Sequence, residues 1–184
     1  MKKSRRPRRS LRLAMARALI IALDEGTSNV KAVAIDARGQ VVAKASRPLT
    51  VATPQPGWVE QDGLTLLNAS LTVLREVLNT VGQENVAALA ISNQRETAIG
   101  WERHSGKPIG PALTRQCSRS AAFCEQLRHD RQEALIRSVT GLPVAPLFSA
   151  SKMRWLLDNV SDGHARAANG ELCLGTIDAW LLWN

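Results

Sequence analysis

Two short segments of the 184-residue chain carry side chains whose types and spacing could do chemistry. The first is Asp24-Glu25-Gly26-Thr27-Ser28, with Lys31 shortly after it. Gly26 permits a turn in which consecutive backbone N–H groups face one anion, and Thr27 and Ser28 add hydroxyl donors. Asp24, at the mouth of that turn, suits a magnesium ion held through water, and Lys31 adds a point charge for phosphate. The second segment is Asn93-Gln94-Arg95-Glu96-Thr97. Arg95 offers a fork of donors and Glu96 an acceptor, so side by side they could hold adjacent hydroxyls of a polyol. Taken singly, the first segment also reads as an ordinary polar hairpin and the second as a surface ion pair. Neither GxxxxGK[ST] nor GxGxxG occurs in the chain, so the two usual phosphate-loop signatures are absent.

Both segments sit where the apolar pattern changes. Residues 19–23 form a short continuous apolar run, and residues 31–35 and 41–45 are strand-like again. The turns between them, at 24–28 and 37–40, predict an antiparallel meander. Asp62 is placed to cap a helix on which Leu64, Leu67, Leu71, Leu74, Leu78 and Val81 recur at steps of three and four, and Gly82 ends it. Residues 86–91 predict a fourth strand that delivers Ser92 to Thr97 at its carboxyl end, where open α/β sheets bind ligands. Residues 98–101 predict a fifth strand. One helical stretch is expected over 117–138, ended by Gly141 and Pro143, and another over 151–160. A short strand at 172–174 precedes a helix capped by Thr176, whose pattern is still running at Asn184.

The net charge is +8, from 24 Lys and Arg against 16 Asp and Glu. Eight of those basic residues, and none of the acids, lie in residues 1–17, so the remainder carries 16 of each sign. The charge therefore describes a basic leader, and a basic-faced nucleic-acid-binding domain is not expected. That leader reads as a disordered extension ahead of a possible start at Met15, although a targeting peptide or a nucleic-acid tail has similar composition. Cys117, Cys124 and Cys173 form no CxxC pair and read as buried free thiols, while His104, His129 and His164 read as surface residues. No apolar run approaches membrane-spanning length. These features together predict a cytoplasmic protein without membrane or nucleic-acid partners.

In order along the chain stand Leu-Asp-Glu-Gly-Thr-Ser-Asn-Val-Lys (23–31), Pro-Gly-Trp-Val-Glu-Gln-Asp (56–62), Ser-Asn-Gln-Arg-Glu-Thr (92–97) and Gly-Thr-Ile-Asp-Ala-Trp-Leu-Leu-Trp (175–183). This series resembles the FGGY carbohydrate kinases. Trp-Glu-x-x-x-Gly-Lys-Pro (101–108) and Gln-Cys (116–117) make the glycerol-kinase branch the nearest likeness. The resemblance implies an α/β, ribonuclease-H-like domain of the actin and hexokinase superfamily, with a mixed five-stranded sheet and flanking helices. It divides the chain into a leader at 1–17 and an incomplete N-terminal kinase domain at 18–184. It implies ATP and Mg2+ as cofactors and a small polyol or sugar as phosphoryl acceptor. Asp24 would orient magnesium, Gly26, Thr27, Ser28 and Lys31 would face the ATP phosphates, and Arg95 and Glu96 would bind substrate hydroxyls. The family's catalytic carboxylate is expected beyond Asn184, so no catalytic base is assigned here and this chain alone is expected to be inactive. Self-association, or a complementing C-terminal half, is the corresponding expectation about partners. Two positions depart from the branch: Arg115 stands where it carries a tryptophan, and Leu147 where it carries a substrate-contacting tyrosine. A substrate-shifted sugar kinase and a non-catalytic nucleotide-binding or interaction remnant are the alternative readings.

Overall fold

A computed structural model describes residues 19–184, and the basic leader lies outside the described residues. The meander forms as the alternation requires. In β1 (Leu19–Glu25) the side chains of Ile21, Leu23 and Glu25 are buried while Ile20 and Asp24 are exposed. β2 (Asn29–Ile35) pairs antiparallel with β1, placing Ile21 opposite Ala34 and Leu23 opposite Ala32. β3 (Val41–Pro48) continues the meander. The turn between β2 and β3 is fixed by the Asp36 carboxylate, which accepts from the Arg38 and Gln40 amides at 2.8 and 2.9 Å.

After β4 (Glu60–Gln61), helix α1 (Gly63–Val81) crosses the sheet and returns the chain as β5 (Val86–Asn93), parallel to β1. Asp62 caps α1 as expected, accepting from the Thr65 amide at 2.7 Å. Gly82 closes it at φ 78° with an N–H···O bond to Leu78. The deepest face of α1 is Gly63, Leu66, Ser70, Val73 and Val77, rotated from the expected leucine stripe. Leu64 is 47% exposed, whereas Leu67, Leu74, Leu78 and Val81 flank the core partly buried.

The expected single five-stranded sheet is instead two sheets of four strands each among the described residues, with orders β3-β2-β1-β5 and β4-β7-β6-β8. β6 (Ala98–Glu102) leaves the first sheet because Glu96 takes a left-handed conformation, φ 63°, in the turn after β5. β6 then pairs antiparallel with β7 (Ala112–Leu113) and β8 (Leu172–Thr176). The α/β class and the mixed strand directions stand as expected.

The expected helix over 117–138 is two helices, α2 (Ala121–His129) and α3 (Glu133–Thr140), broken where Arg131 adopts φ 57°. α2 buries only Cys124 and α3 buries no residue, so no shared apolar stripe holds them as one rod. α4 (Ser149–Asp158) and the short α5 (Gly163–Ala168) follow. α6 (Ile177–Trp183) begins after Thr176, whose hydroxyl donates to Asp178 at 2.6 Å and does not cap the helix backbone. All three cysteines are free, with Cys117 and Cys124 buried. The three histidines are exposed. No helix among the described residues is long and apolar enough to cross a membrane.

Candidate functional site

Because β1 and β5 are parallel neighbours, their carboxyl ends lie side by side, with Glu25 opposite Asn93. The turns that leave them are the two segments singled out from the sequence. A cleft of about 300 Å³ opens there, lined by Gly26, Thr27, Asn93, Gln94, Arg95, Arg115 and Gln116.

The floor of this cleft is a buried polar network centred on Gln94. Its backbone N–H donates to the Glu25 carbonyl at 2.7 Å. Its side-chain amide donates to Gln61 Oε1 at 2.8 Å and to the Glu25 carboxylate at 3.2 Å. Its Oε1 accepts from the hydroxyls of Thr97 at 2.9 Å and Thr27 at 3.2 Å. Gln61 in turn donates to the Thr27 and Thr50 carbonyls at 3.0 and 3.2 Å. Glu25 is wholly buried, and burial pushes its carboxyl up to about 7 against the opposing pull of the Gln94 hydrogen bond. The sequence alone did not assign Gln61, Gln94 or Glu25 a role. The available signal was three uncharged-or-acidic polar residues placed next to apolar strand positions.

The phosphate turn differs in detail from the expected anion nest. Gly26 does not take a positive φ, and its N–H is spent on the Asn29 carbonyl at 3.0 Å. Glycine is favoured there by close approach, since a Cβ would lie 3.0 Å from that same oxygen. The amides of Thr27 and Ser28 donate to no group among the described residues, so the anion-facing donors are these two. The Thr27 hydroxyl proton goes to Gln94, while Ser28 is exposed. Asp24 and Lys31 are exposed and directly opposed across the β1–β2 ladder, on the sheet face away from α1.

Arg95 is exposed at the cleft, whereas Glu96 is half-buried and turned away from its lining. Glu96 Oε2 accepts from the Ser149 amide and hydroxyl at 2.9 and 2.8 Å, capping α4. The Glu96 carbonyl accepts from Lys152 Nζ at 2.9 Å, and the same ammonium also donates to the Leu147 carbonyl. Lys152 is wholly buried, and burial draws it down to about 8, opposed by the Glu96 charge. It was not foreseen, although a lysine four residues before the core residue Leu156 stands on the inward helical face. Lys152 thus holds the left-handed turn that aims Arg95. Leu147 itself is 40% exposed and does not line the cleft.

Arg115 and Gln116 are the central residues of a turn anchored on both sides. The Thr114 amide and hydroxyl both donate to Val59 O at 3.1 Å, and the Cys117 amide donates to Thr114 O at 3.1 Å. Behind it, Arg119 pairs with Glu60 at 2.5 Å between the rings of Trp58 and Trp155. Asn93, on the opposite flank, donates to Asp178 at 2.7 Å and so joins β5 to the start of α6.

Residues 19–184 match the FGGY family of carbohydrate kinases, N-terminal domain. The chain belongs to that family. It is 45% identical to glycerol kinase 2 of Pseudomonas aeruginosa over 166 residues, 89% of this chain and 33% of that protein. It is 44% identical to glycerol kinase of Halorhodospira halophila over 172 residues, 92% of this chain and 34% of that protein. Its fold superposes on Plasmodium falciparum glycerol kinase with ADP at TM-score 0.83 and 25% identity, covering 90% of this chain and 34% of the other. This FGGY chain therefore spans about a third of the length of the relatives it matches.

Proposed function

We propose that this chain is the N-terminal, phosphate- and acceptor-binding part of an ATP- and Mg2+-dependent polyol kinase related to glycerol kinase. One observation carries the reading. The turn with free Thr27 and Ser28 amides and the turn bearing Arg95 meet in a single cleft at the carboxyl ends of parallel β1 and β5.

Phosphoryl transfer asks a protein mainly for positioning and charge stabilisation. The Thr27 and Ser28 amides orient phosphate oxygens, and Lys31 adds positive charge beside them. Among the described residues no three His, Cys, Asp or Glu side chains converge on one point. By the family resemblance Asp24, exposed at the end of β1 just before the phosphate turn although outside the cleft lining, would hold magnesium through water and phosphate oxygens. Magnesium, when bound, supplies neutralisation of phosphate charge. Arg95 presents its fork to acceptor hydroxyls; Glu96, which the family resemblance also assigns to the acceptor, faces α4 and Ser149 in this arrangement. The proton-accepting carboxylate and the adenosine grip belong to the two thirds of the relatives' length that this chain does not span. We place the protein in the cytoplasm, with a small polyol or sugar as its acceptor and with self-association or a complementing half as its protein contact.

Titration of Mg·ATP and glycerol onto the chain by calorimetry tests this. Asp24→Ala should abolish the magnesium dependence of nucleotide binding, and Arg95→Ala should weaken the acceptor about tenfold. The unmodified chain should show no acceptor-dependent ATP turnover. Binding of neither ligand, or turnover abolished by Asp24→Ala, would overturn the reading.

A further inference from the structure

We propose that the acceptor of this cleft is an anionic polyol, a small hydroxy acid whose carboxylate is held by Arg115 together with Arg95. This rests on the kinase reading above and adds the substrate's charge to it. Arg95 and Arg115 both line the same cleft, although they come from different turns, one after β5 and one after β7. Neither makes an ion pair among the described residues.

The nearby carboxylates are all committed elsewhere. Glu96 caps α4 through Ser149, and Glu25 is sealed beneath Gln94. Asp24 follows the strand alternation onto the opposite face of the sheet from Glu25. No carboxylate lines the cleft. Two cations in one small cleft repel each other, and a bound anion turns that repulsion into attraction. Guanidinium forks match a carboxylate in plane and in spacing, which a neutral hydroxyl does not exploit.

The Arg115 turn is a built feature. Thr114 and Cys117 pin its two ends to the backbone, so the side chain is presented from a fixed base. The Arg115 turn and the phosphate-facing turn enter the cleft from different sheets. The free phosphate-facing amides belong to the β1–β2 turn, while Arg115 arrives from the second sheet. A cleft of about 300 Å³ admits an acid of a few carbons.

The test compares D-glycerate with glycerol by calorimetric titration of the full chain, with Mg·ATP in a separate arm. Glycerate should bind about tenfold tighter than glycerol and should lose that advantage in high salt. Arg115→Gln should erase most of the preference by weakening glycerate far more than glycerol, and Arg115→Lys should restore part of it. Circular dichroism confirms that each variant is folded. Equal or tighter binding of glycerol overturns the proposal, as does binding of neither acceptor. So does an Arg115→Gln variant that weakens Mg·ATP and spares glycerate, because Arg115 would then serve the nucleotide. Loss of Mg·ATP binding with intact glycerate preference would instead overturn the kinase reading and leave the anionic cleft standing.

Discussion

Glu25 sits in a costly environment. It sits wholly buried beside Gln94, with its carboxyl pushed up from 4.5 to about 7. The sign of its effect on stability follows directly. Between about pH 4.5 and about 7 the folded chain holds a proton that the unfolded chain has released, so stability falls as pH rises through that window. At higher pH the ionised carboxylate remains a burden. Glu25→Gln removes the charge while keeping a partner for the Gln94 amide. It should stabilise the fold at pH 8 by roughly 2–3 kcal/mol and flatten that part of the pH profile. Urea unfolding of both proteins from pH 4 to pH 8 measures this, and parallel profiles would refute it. Lys152 is the complementary case, a buried cation satisfied by two carbonyls. Residue types alone disclosed Thr27 and Arg95 because hydroxyls and guanidinium groups near strand ends already suggest ligands. They did not disclose Lys152, since a single lysine in a helix reads as solvated until its neighbours in space are known.

At the scale of elements, the Asp62 cap, the Gly82 stop and the turn after β2 were legible, whereas the Thr176 cap and the facing of helices were not. Asp62 and Gly82 act locally, so their roles follow from a few neighbouring residues. The face α1 presents depends on which stripe of a mostly apolar helix meets the sheet, and small residues decide it. Gly63 lets the helix approach closely, with Ile99 at 2.7 Å and Trp180 at 3.2 Å from where a Cβ would stand. That contact turns Leu66, Val73 and Val77 inward and leaves Leu64 at the rim. The rotation has a measurable consequence. Val73→Ala should cost about 2 kcal/mol through lost burial and a cavity, whereas Leu64→Ala should stay below about 1 kcal/mol. Equal losses in chemical denaturation would return the core to the leucine stripe. The split of α2 from α3 has the same origin, because periodicity registers a pattern but not whether anything packs against it.

For the molecule as a whole, charge and edges act together. Beyond the leader the chain carries 16 basic and 16 acidic residues, so little net repulsion keeps folded bodies apart. The first sheet ends on β5, whose residues 87–90 are exposed and include neither a charge nor a proline. Leu74, Leu78 and Leu89 line an adjoining groove of about 670 Å³. Natural sheets usually blunt such an edge with lysine, proline or a bulge, because an open apolar edge recruits another strand. Two copies meeting at β5 would satisfy the backbone and cover Leu89, which is 49% exposed. Sedimentation velocity of the full chain should therefore show concentration-dependent association, little affected by salt because the contact is apolar. Leu89→Lys should shift the chain towards monomer without altering Mg·ATP binding, since Leu89 lies outside the cleft. A chain that sediments as a monomer at every concentration, or association unmoved by Leu89→Lys, would place the contact elsewhere or remove it.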